Sequence, residues 1–163
     1  MIKWLELLDF GYPGGPKIDK LAMEGEPTIE LPKSKIEGLN FSFSGIKTAV
    51  INLHHKNPEV NKADLCASFE KVTTEMLIEN VEKAVEQTGI KTVVLAGGVS
   101  ANSYIRKQFA NLGENKKLKI YYPELKLCTD NAAMIASAGY YDYISGKKSE
   151  FSLNAVPNLK LGG

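Results

Sequence analysis

Apolar residues recur along this chain at two spacings. Over residues 61–87, Leu65, Phe69, Val72, Met76, Leu77, Val81 and Ala84 follow the three-and-four spacing of a long helix with one buried face. Asn61 ahead of it and Asp64 in its first turn read as an N-cap with an acidic start, and Thr88-Gly89 as its end. Thr92-Val93-Val94-Leu95-Ala96 is instead a continuous β-branched and apolar run, the pattern of a buried central strand. Gly97-Gly98 breaks that run, residues 100–112 return to helical spacing, and residues 118–122 form a further strand ended by Pro123. Thr129 or Asp130 is expected to cap a last helix to about residue 143, rich in the small residues Ala132, Ala133, Ala136, Ala138 and Gly139.

The first third of the chain is less regular. Residues 2–10 read as the end of a helix, with Trp4, Leu7 and Leu8 on one face and no cap residue before it. That start, already in helical register, points to a sequence continuing upstream. Gly11-Tyr12-Pro13-Gly14-Gly15-Pro16 forms a turn, and Pro16 suits the first turn of a short helix through residue 22, with Ile18, Leu21 and Ala22 apolar. Short strands are expected at residues 28–31 and 41–43, and a helix from Ser44 to about His54, with Ile46, Val50, Ile51 and Leu53 apolar. The tail, residues 150–163, is polar and punctuated by glycine and proline. Helix and strand alternate in the second half, which predicts an α/β layer with helices packed on a sheet. Ligands in such folds sit beyond the carboxyl ends of the strands. That rule singles out Gly97-Gly98 and the segment 128–131.

Bulk properties narrow the class. The 163 residues predict one domain, 44% hydrophobic and 24% charged, with a net charge of +1. Nothing in that balance announces a nucleic-acid or membrane partner, so a basic surface for RNA would have to be local or come from another chain. Cys66 and Cys128 have neither metal-type spacing nor a disulfide framework, which suits a reducing cytoplasm. No apolar run approaches the roughly 20 residues that span a bilayer, and no signal-peptide pattern opens the chain. A cytoplasmic location is expected.

Four segments could carry chemistry. In Val94-Leu95-Ala96-Gly97-Gly98-Val99-Ser100-Ala101-Asn102, a strand ends in two glycines that let a ligand meet the backbone, and the following helix offers unpaired N–H groups. Asn102 could bond a sugar hydroxyl or a base edge; the plainer reading is a tight strand-to-helix turn capped by Ser100. In Tyr12-Pro13-Gly14-Gly15-Pro16-Lys17-Ile18-Asp19, a rigid loop could press on a ligand and Asp19 could accept from ribose hydroxyls, or the segment could be a connector. In Cys128-Thr129-Asp130-Asn131-Ala132-Ala133, Asp130 reads as a helix cap or as one oxygen ligand of a divalent metal. In Asn40-Phe41-Ser42-Phe43-Ser44-Gly45-Ile46-Lys47-Thr48, Lys47 could reach a phosphate, although an exposed helical lysine is the plainer assignment. His54 and His55 are adjacent, so they cannot both face one site from a helix, and neither is assigned to a metal.

Taken together and in order, these segments resemble the C-terminal half of the TsaD-type tRNA threonylcarbamoyladenosine synthase family, formerly called O-sialoglycoprotein endopeptidase or glycoprotease. The resemblance rests on Gly-Tyr-Pro-Gly-Gly-Pro, Phe-Ser-Phe-Ser-Gly-Ile-Lys-Thr, Ala-Gly-Gly-Val-Ser-Ala-Asn and Cys-Thr-Asp-Asn-Ala-Ala, and runs from Gly11 to about Leu161. It implies that residues 1–163 are the C-terminal nucleotide-binding lobe of the two-lobed α/β ATPase fold shared by actin, sugar kinases and chaperones (ASKHA, RNase H-like). It also implies an acyltransferase that moves threonylcarbamoyl from threonylcarbamoyl-AMP to N6 of adenosine 37 in ANN-reading tRNAs. The implied cofactors are one divalent metal, iron or zinc, and ATP or threonylcarbamoyl-AMP as the nucleotide ligand. The implied partners are tRNA, the proteins of the threonylcarbamoyladenosine synthesis complex and an N-terminal lobe. By motif, Gly15, Asp19, Gly97, Gly98 and Asn102 would contact the nucleotide, and Asp130 would ligate the metal.

The family's N-terminal half supplies a His-x-x-x-His pair, a Ser-Gly-Gly-His-Thr loop and a further Asp, and this chain contains none of them. The chain alone is therefore expected to lack transferase activity, because metal sites need several convergent ligands. No general base is evident. The rival readings are a non-catalytic nucleotide-binding or interaction module that self-associates, and a metal-dependent glycoprotease, which would need a histidine motif this chain lacks.

Overall fold

The computed structural model describes residues 11, 13–34 and 36–157. The helix expected at residues 2–10, Tyr12 and the end of the tail lie outside the described residues. The described elements, in chain order, are α1 (Gly14–Ala22), α2 (Ser44–Lys56), α3 (Lys62–Thr88), β1 (Thr92–Val94), α4 (Ser103–Lys116), β2 (Lys119–Tyr121) and α5 (Ala132–Ile144). One-turn 3-10 helices stand at Gly98–Ala101, ahead of α4, and at Leu125–Leu127, after β2. The chain divides into two compact units, Met1–Cys128 and Thr129–Gly163.

Helix α3 is the spine of the first unit. Asn61 caps it through Oδ1, which accepts from the amides of Ala63 (2.9 Å) and Asp64 (3.4 Å), and Gly89 ends it in the left-handed region at φ 70°. Both ends fall where the capping logic places them. Its first half buries Leu65, Cys66 and Ala67 against Ile18 and Ala22 of α1 and Val50 of α2. Val72 and Met76 close over Ile46 of α2. Its second half turns Leu77, Ile78, Val81 and Val85 toward Ile105, Phe109 and Leu112 of α4, and toward Val93 and Ile120 of the strands.

The loop after α1 meets the start of α3 backbone to backbone. A Cβ on Gly25 would stand 2.2 Å from the carbonyl carbon of Ala63. Glu26 N donates to Asp64 Oδ1 at 2.8 Å beside that contact.

β1 and β2 pair in parallel, Val93 opposite Ile120, with α4 as the crossover. The strand expected at residues 92–96 is thus three residues long, and it is not buried on both faces. Val93 and Ile120 face the helices, whereas Val94 is 68% and Tyr121 56% exposed. A two-stranded ribbon has one face for α3 and α4, and no described element of the first unit covers the other.

The strands expected at residues 28–31 and 41–43 are absent. Around Ile29 the backbone amide donates to Ser68 Oγ (3.0 Å), so a side chain of α3 takes the place of a sheet ladder. At the second, the Asn40 carbonyl accepts from Asn80 Nδ2 (2.9 Å), and Phe41 and Phe43 stack with centroids 5.8 Å apart. The alternation of aromatic and serine marks a stacked loop, not a pleat.

In the second unit, α5 is capped by neither Thr129 nor Asp130. Asn131 Oδ1 accepts from the Met134 amide at 3.0 Å, and Asn131 Nδ2 donates to the Thr129 carbonyl at 2.9 Å. None of its residues is buried, and Ile135, Tyr140, Tyr141, Tyr143 and Ile144 are all well exposed.

Candidate functional site

The Pro-Gly-Gly-Pro segment is not a loop in front of a helix. α1 begins at Gly14, with extended Pro13 as its N-cap and no side chain capping it, so Gly14 and Gly15 are its first turn. Proline suits this boundary because it lacks an N–H, and glycine keeps the turn bare. Gly14 is buried and Gly15 exposed, with open space where a Cβ on Gly15 would stand. Asp19 sits one turn further on. Its carboxylate accepts from the Ser103 amide, at 3.1 Å to Oδ1 and 3.2 Å to Oδ2, and from Ser103 Oγ at 2.7 Å.

Asp19 therefore holds the start of α4 to α1. Beyond β1, Gly97 adopts φ 84° and ψ 170°, a region essentially restricted to glycine. The chain then makes the 3-10 turn, where Ser100 Oγ and the Ser100 amide both donate to the Gly97 carbonyl, at 2.6 and 2.9 Å. Ser100 locks this turn and does not cap the helix. That task falls to Asn102, whose Oδ1 accepts from the Ile105 amide at 2.8 Å. The N-terminus of α4 is thus less open to an anion than its sequence predicts, because Asp19 and Asn102 occupy the Ser103 and Ile105 amides. The exposed residues of this turn are Gly97, Gly98 and Val99.

The Asn102 amide also donates from Nδ2 to Glu70 Oε1 at 2.5 Å. Glu70 is 5% exposed, in the first half of α3. Burial pushes its carboxyl up to about 7; the Asn102 hydrogen bond opposes that rise, and the negative charge of Asp19 adds to it. Burial, helped by Glu70, likewise pushes the Cys66 thiol up to about 12. An Asn amide has two N–H groups and two carbonyl lone pairs. With one of each engaged, Asn102 keeps one N–H and one lone pair for a ligand.

A second unforeseen side chain, Arg106, lies one turn into α4. Its Nε donates to the Ser100 carbonyl (2.6 Å), and its Nη2 to the Pro123 carbonyl (2.7 Å) and toward Cys128 Sγ (3.1 Å). The guanidinium stands over the Tyr122 ring, 4.7 Å from its centroid. Both residues left a signal in the sequence. Glu70 is a charge at i+4 from Cys66 and i−4 from Thr74, next to the apolar stripe of α3. Arg106 follows Asn102 at i+4.

Asp130 is an exposed residue of the second unit. No group of three His, Cys, Asp or Glu able to hold a metal occurs among the described residues. His54 and His55 lie in the last turn of α2, as expected of a helix end, and His54 Nδ1 is buried without a hydrogen bond. Lys47 is half-buried in α2. A shallow cavity of about 170 Å³ between Ile36, Phe41 and Met76 shares no residue with the glycine turns. No helix among the described residues is long and apolar enough to cross a membrane.

Comparison with known proteins gives these contacts a family. The model of the tRNA N6-adenosine threonylcarbamoyltransferase family, TsaD, matches residues 1–137. A protein of that name from Carboxydothermus hydrogenoformans is 48% identical over 158 residues, covering 96% of this chain and 47% of the relative. Those from Clostridium novyi and Clostridium beijerinckii are 45% and 49% identical, each covering 95% of this chain and 48% of the relative. The chain spans about half the length of these curated relatives. With both glycine turns, Asp19 and Asn102 inside the matched segment, the chain belongs to the tRNA N6-adenosine threonylcarbamoyltransferase family.

Proposed function

We propose that residues 1–163 act as the C-terminal, nucleotide-binding lobe of a two-lobed enzyme of the actin, sugar-kinase and chaperone type. The complete enzyme transfers threonylcarbamoyl from threonylcarbamoyl-AMP to N6 of adenosine 37 in tRNAs that read ANN codons. One observation carries this reading: the Asp19–Ser103 contact joins segments 84 residues apart in sequence, tying α1, which the Pro-Gly-Gly-Pro segment opens, to the start of α4, which follows the Gly97-Gly98 turn. Gly15 and Gly97 both face open space at the Cβ position, which leaves room for a ligand against the backbone.

In this reading the amides of Gly15, Gly98 and Val99 and the second N–H of the Asn102 side chain orient the adenylate, and Asp19 accepts from its ribose. The tRNA amine attacks the carbamoyl carbon. A C–N bond forms as the bond from that carbon to the phosphate oxygen breaks, AMP departs, and the amine releases a proton. Preorganised backbone donors stabilise charge that collects on the departing phosphate. No described residue is placed as the base. Asp130 would give one oxygen ligand to iron or zinc, but the described residues supply no companion ligands, so no step is assigned to a metal. The histidine-bearing lobe, tRNA and the other proteins of the synthesis complex are the proposed partners, in the cytoplasm, and the 163 residues alone are inactive.

Isothermal titration of the chain with AMP and ATP tests the cleft: micromolar binding is expected, and no detectable heat would reject it. Mass spectrometry of nucleosides from tRNA incubated with the chain and threonylcarbamoyl-AMP should show no threonylcarbamoyladenosine; its formation would reject inactivity. The exposed aromatic and aliphatic side chains of α5, and Val94 and Tyr121 on the open sheet face, favour a second reading as a self-associating scaffold. Sedimentation velocity separates the two, since a monomer at about 100 μM removes it. A metalloprotease reading has no ligand cluster to rest on among the described residues.

A further inference from the structure

We infer that Arg106 is a positioning residue, a clamp that fixes the Gly97-Gly98 turn to the loop after β2. The proposed nucleotide cleft is one use of that clamp, and this part of the inference rests on the function proposed above. The two strands of the parallel pair each end in a loop, and nothing in a β-ladder holds such loops together once pairing stops. β1 ends at Val94 and β2 at Tyr121, with the last ladder bond from Leu95 N to the Tyr121 carbonyl at 2.8 Å. Beyond that point the guanidinium spans the gap. Nε binds the Ser100 carbonyl, and Nη2 binds the Pro123 carbonyl and approaches the Cys128 thiol, while the plane rests on Tyr122. Arg106 thus contacts the 3-10 turn on one side and three residues of the 122–128 segment on the other.

The geometry requires an arginine. One rigid, planar cation donates in two directions from separate nitrogens and sets its guanidinium over an aromatic ring; a lysine ammonium has three donors but on a single nitrogen and no planar face, so it cannot reproduce that span. The Ser100 carbonyl that Arg106 holds belongs to the residue whose hydroxyl and amide lock Gly97. Arg106 does not reach the exposed edge of the turn itself. It acts through Ser100, setting the shape in which Gly97 and Gly98 meet a ligand. The same clamp packs the thiol of Cys128, which is 4% exposed, so the two loops should loosen together or not at all.

The test uses the 163-residue chain and its Arg106→Lys and Arg106→Ala variants. Hydrogen exchange is followed over residues 97–103 and 123–128, with residues 62–76 of α3 as the internal control. Charged hydrogen bonds of this kind predict exchange faster by about tenfold or more in both loops of Arg106→Lys, with α3 unchanged. Millimolar guanidinium should restore protection in Arg106→Ala, a rescue that a general loss of packing would not show. Acceleration in one loop only, or in neither, overturns the clamp. AMP binding, read by calorimetry, should weaken about tenfold in Arg106→Lys. Unchanged affinity with both loops loosened overturns the positioning role. If the parent chain binds no AMP, the nucleotide reading fails, and the exchange data still decide the clamp.

Discussion

Replacing Glu70 with glutamine should make the protein more stable at alkaline pH relative to its parent, and should remove part of the pH dependence of folding. The carboxyl is 5% exposed and lies beside the charge of Asp19, which together raise it from its ordinary 4.5 to about 7. Below about pH 4.5 the group is protonated folded and unfolded and contributes nothing. Between about 4.5 and 7 the folded protein holds a proton that the unfolded chain has released, so stability from this group falls as pH rises. Above about 7 both states are ionised and the folded state carries the whole penalty. The rise corresponds to about 3 kcal/mol, and solvent screening brings the expectation nearer 1.5 kcal/mol.

Glutamine cannot ionise, yet its carbonyl oxygen can still accept from Asn102 Nδ2. Urea unfolding of parent and Glu70→Gln at about pH 5 and about pH 8 isolates the effect, because any pH-independent cost of the amide cancels in the difference. The stability gap should move by about 1 kcal/mol in favour of Glu70→Gln over that interval. A gap that stays constant, or moves the other way, would refute the account of Glu70 as a buried carboxyl held against its solvation.

Gly25→Ala forces a Cβ to within 2.2–2.6 Å of the Ala63 and Asp64 backbone and should cost about 3 kcal/mol in urea unfolding. Gly97→Ala meets no neighbour within 4 Å but must hold φ 84°, so a loss of about 1–3 kcal/mol, together with weaker AMP binding, is expected. Cys66, with its thiol pushed up to about 12, should resist iodoacetamide at pH 8 in the native protein and react once urea unfolds it, as read by peptide mass.

The elements most legible in the sequence are those whose signals are local and mutually consistent. α3 announces itself through a sustained apolar stripe, an Asn cap and a Gly stop, and the structure keeps all three. The expected strands failed where the pattern carried no information about partners. An extended segment becomes a strand only if another backbone pairs with it, and at Ile29 the partner is the hydroxyl of Ser68. The same limit shortened β1, since an apolar run cannot reveal how many strands the sheet will have. The turn conformation at Gly97 was readable because it follows from residue type. Glu70 and Arg106 left only a spacing signal, because their contacts depend on which segments meet, and that is set by packing between residues 32 and 22 positions apart.

This division changes how binding mutants should be interpreted. Asp19 and Asn102 each hold the N-terminus of α4, through the Ser103 and Ile105 amides, in addition to any contact with a nucleotide. Alanine at either position removes a cap worth about 1 kcal/mol and a ligand contact together, so weakened binding could arise from either. Asp19→Asn is the sharper variant. Its amide oxygen can still accept from Ser103, while the negative charge and one acceptor oxygen are gone. The change also relieves Glu70 of a neighbouring charge that raises its carboxyl, so in Asp19→Asn the Glu70 titration should move down. Binding lost without that downward movement would mean that Asp19 and Glu70 do not share a field, and the buried cluster would then be two separate helix contacts and not one site.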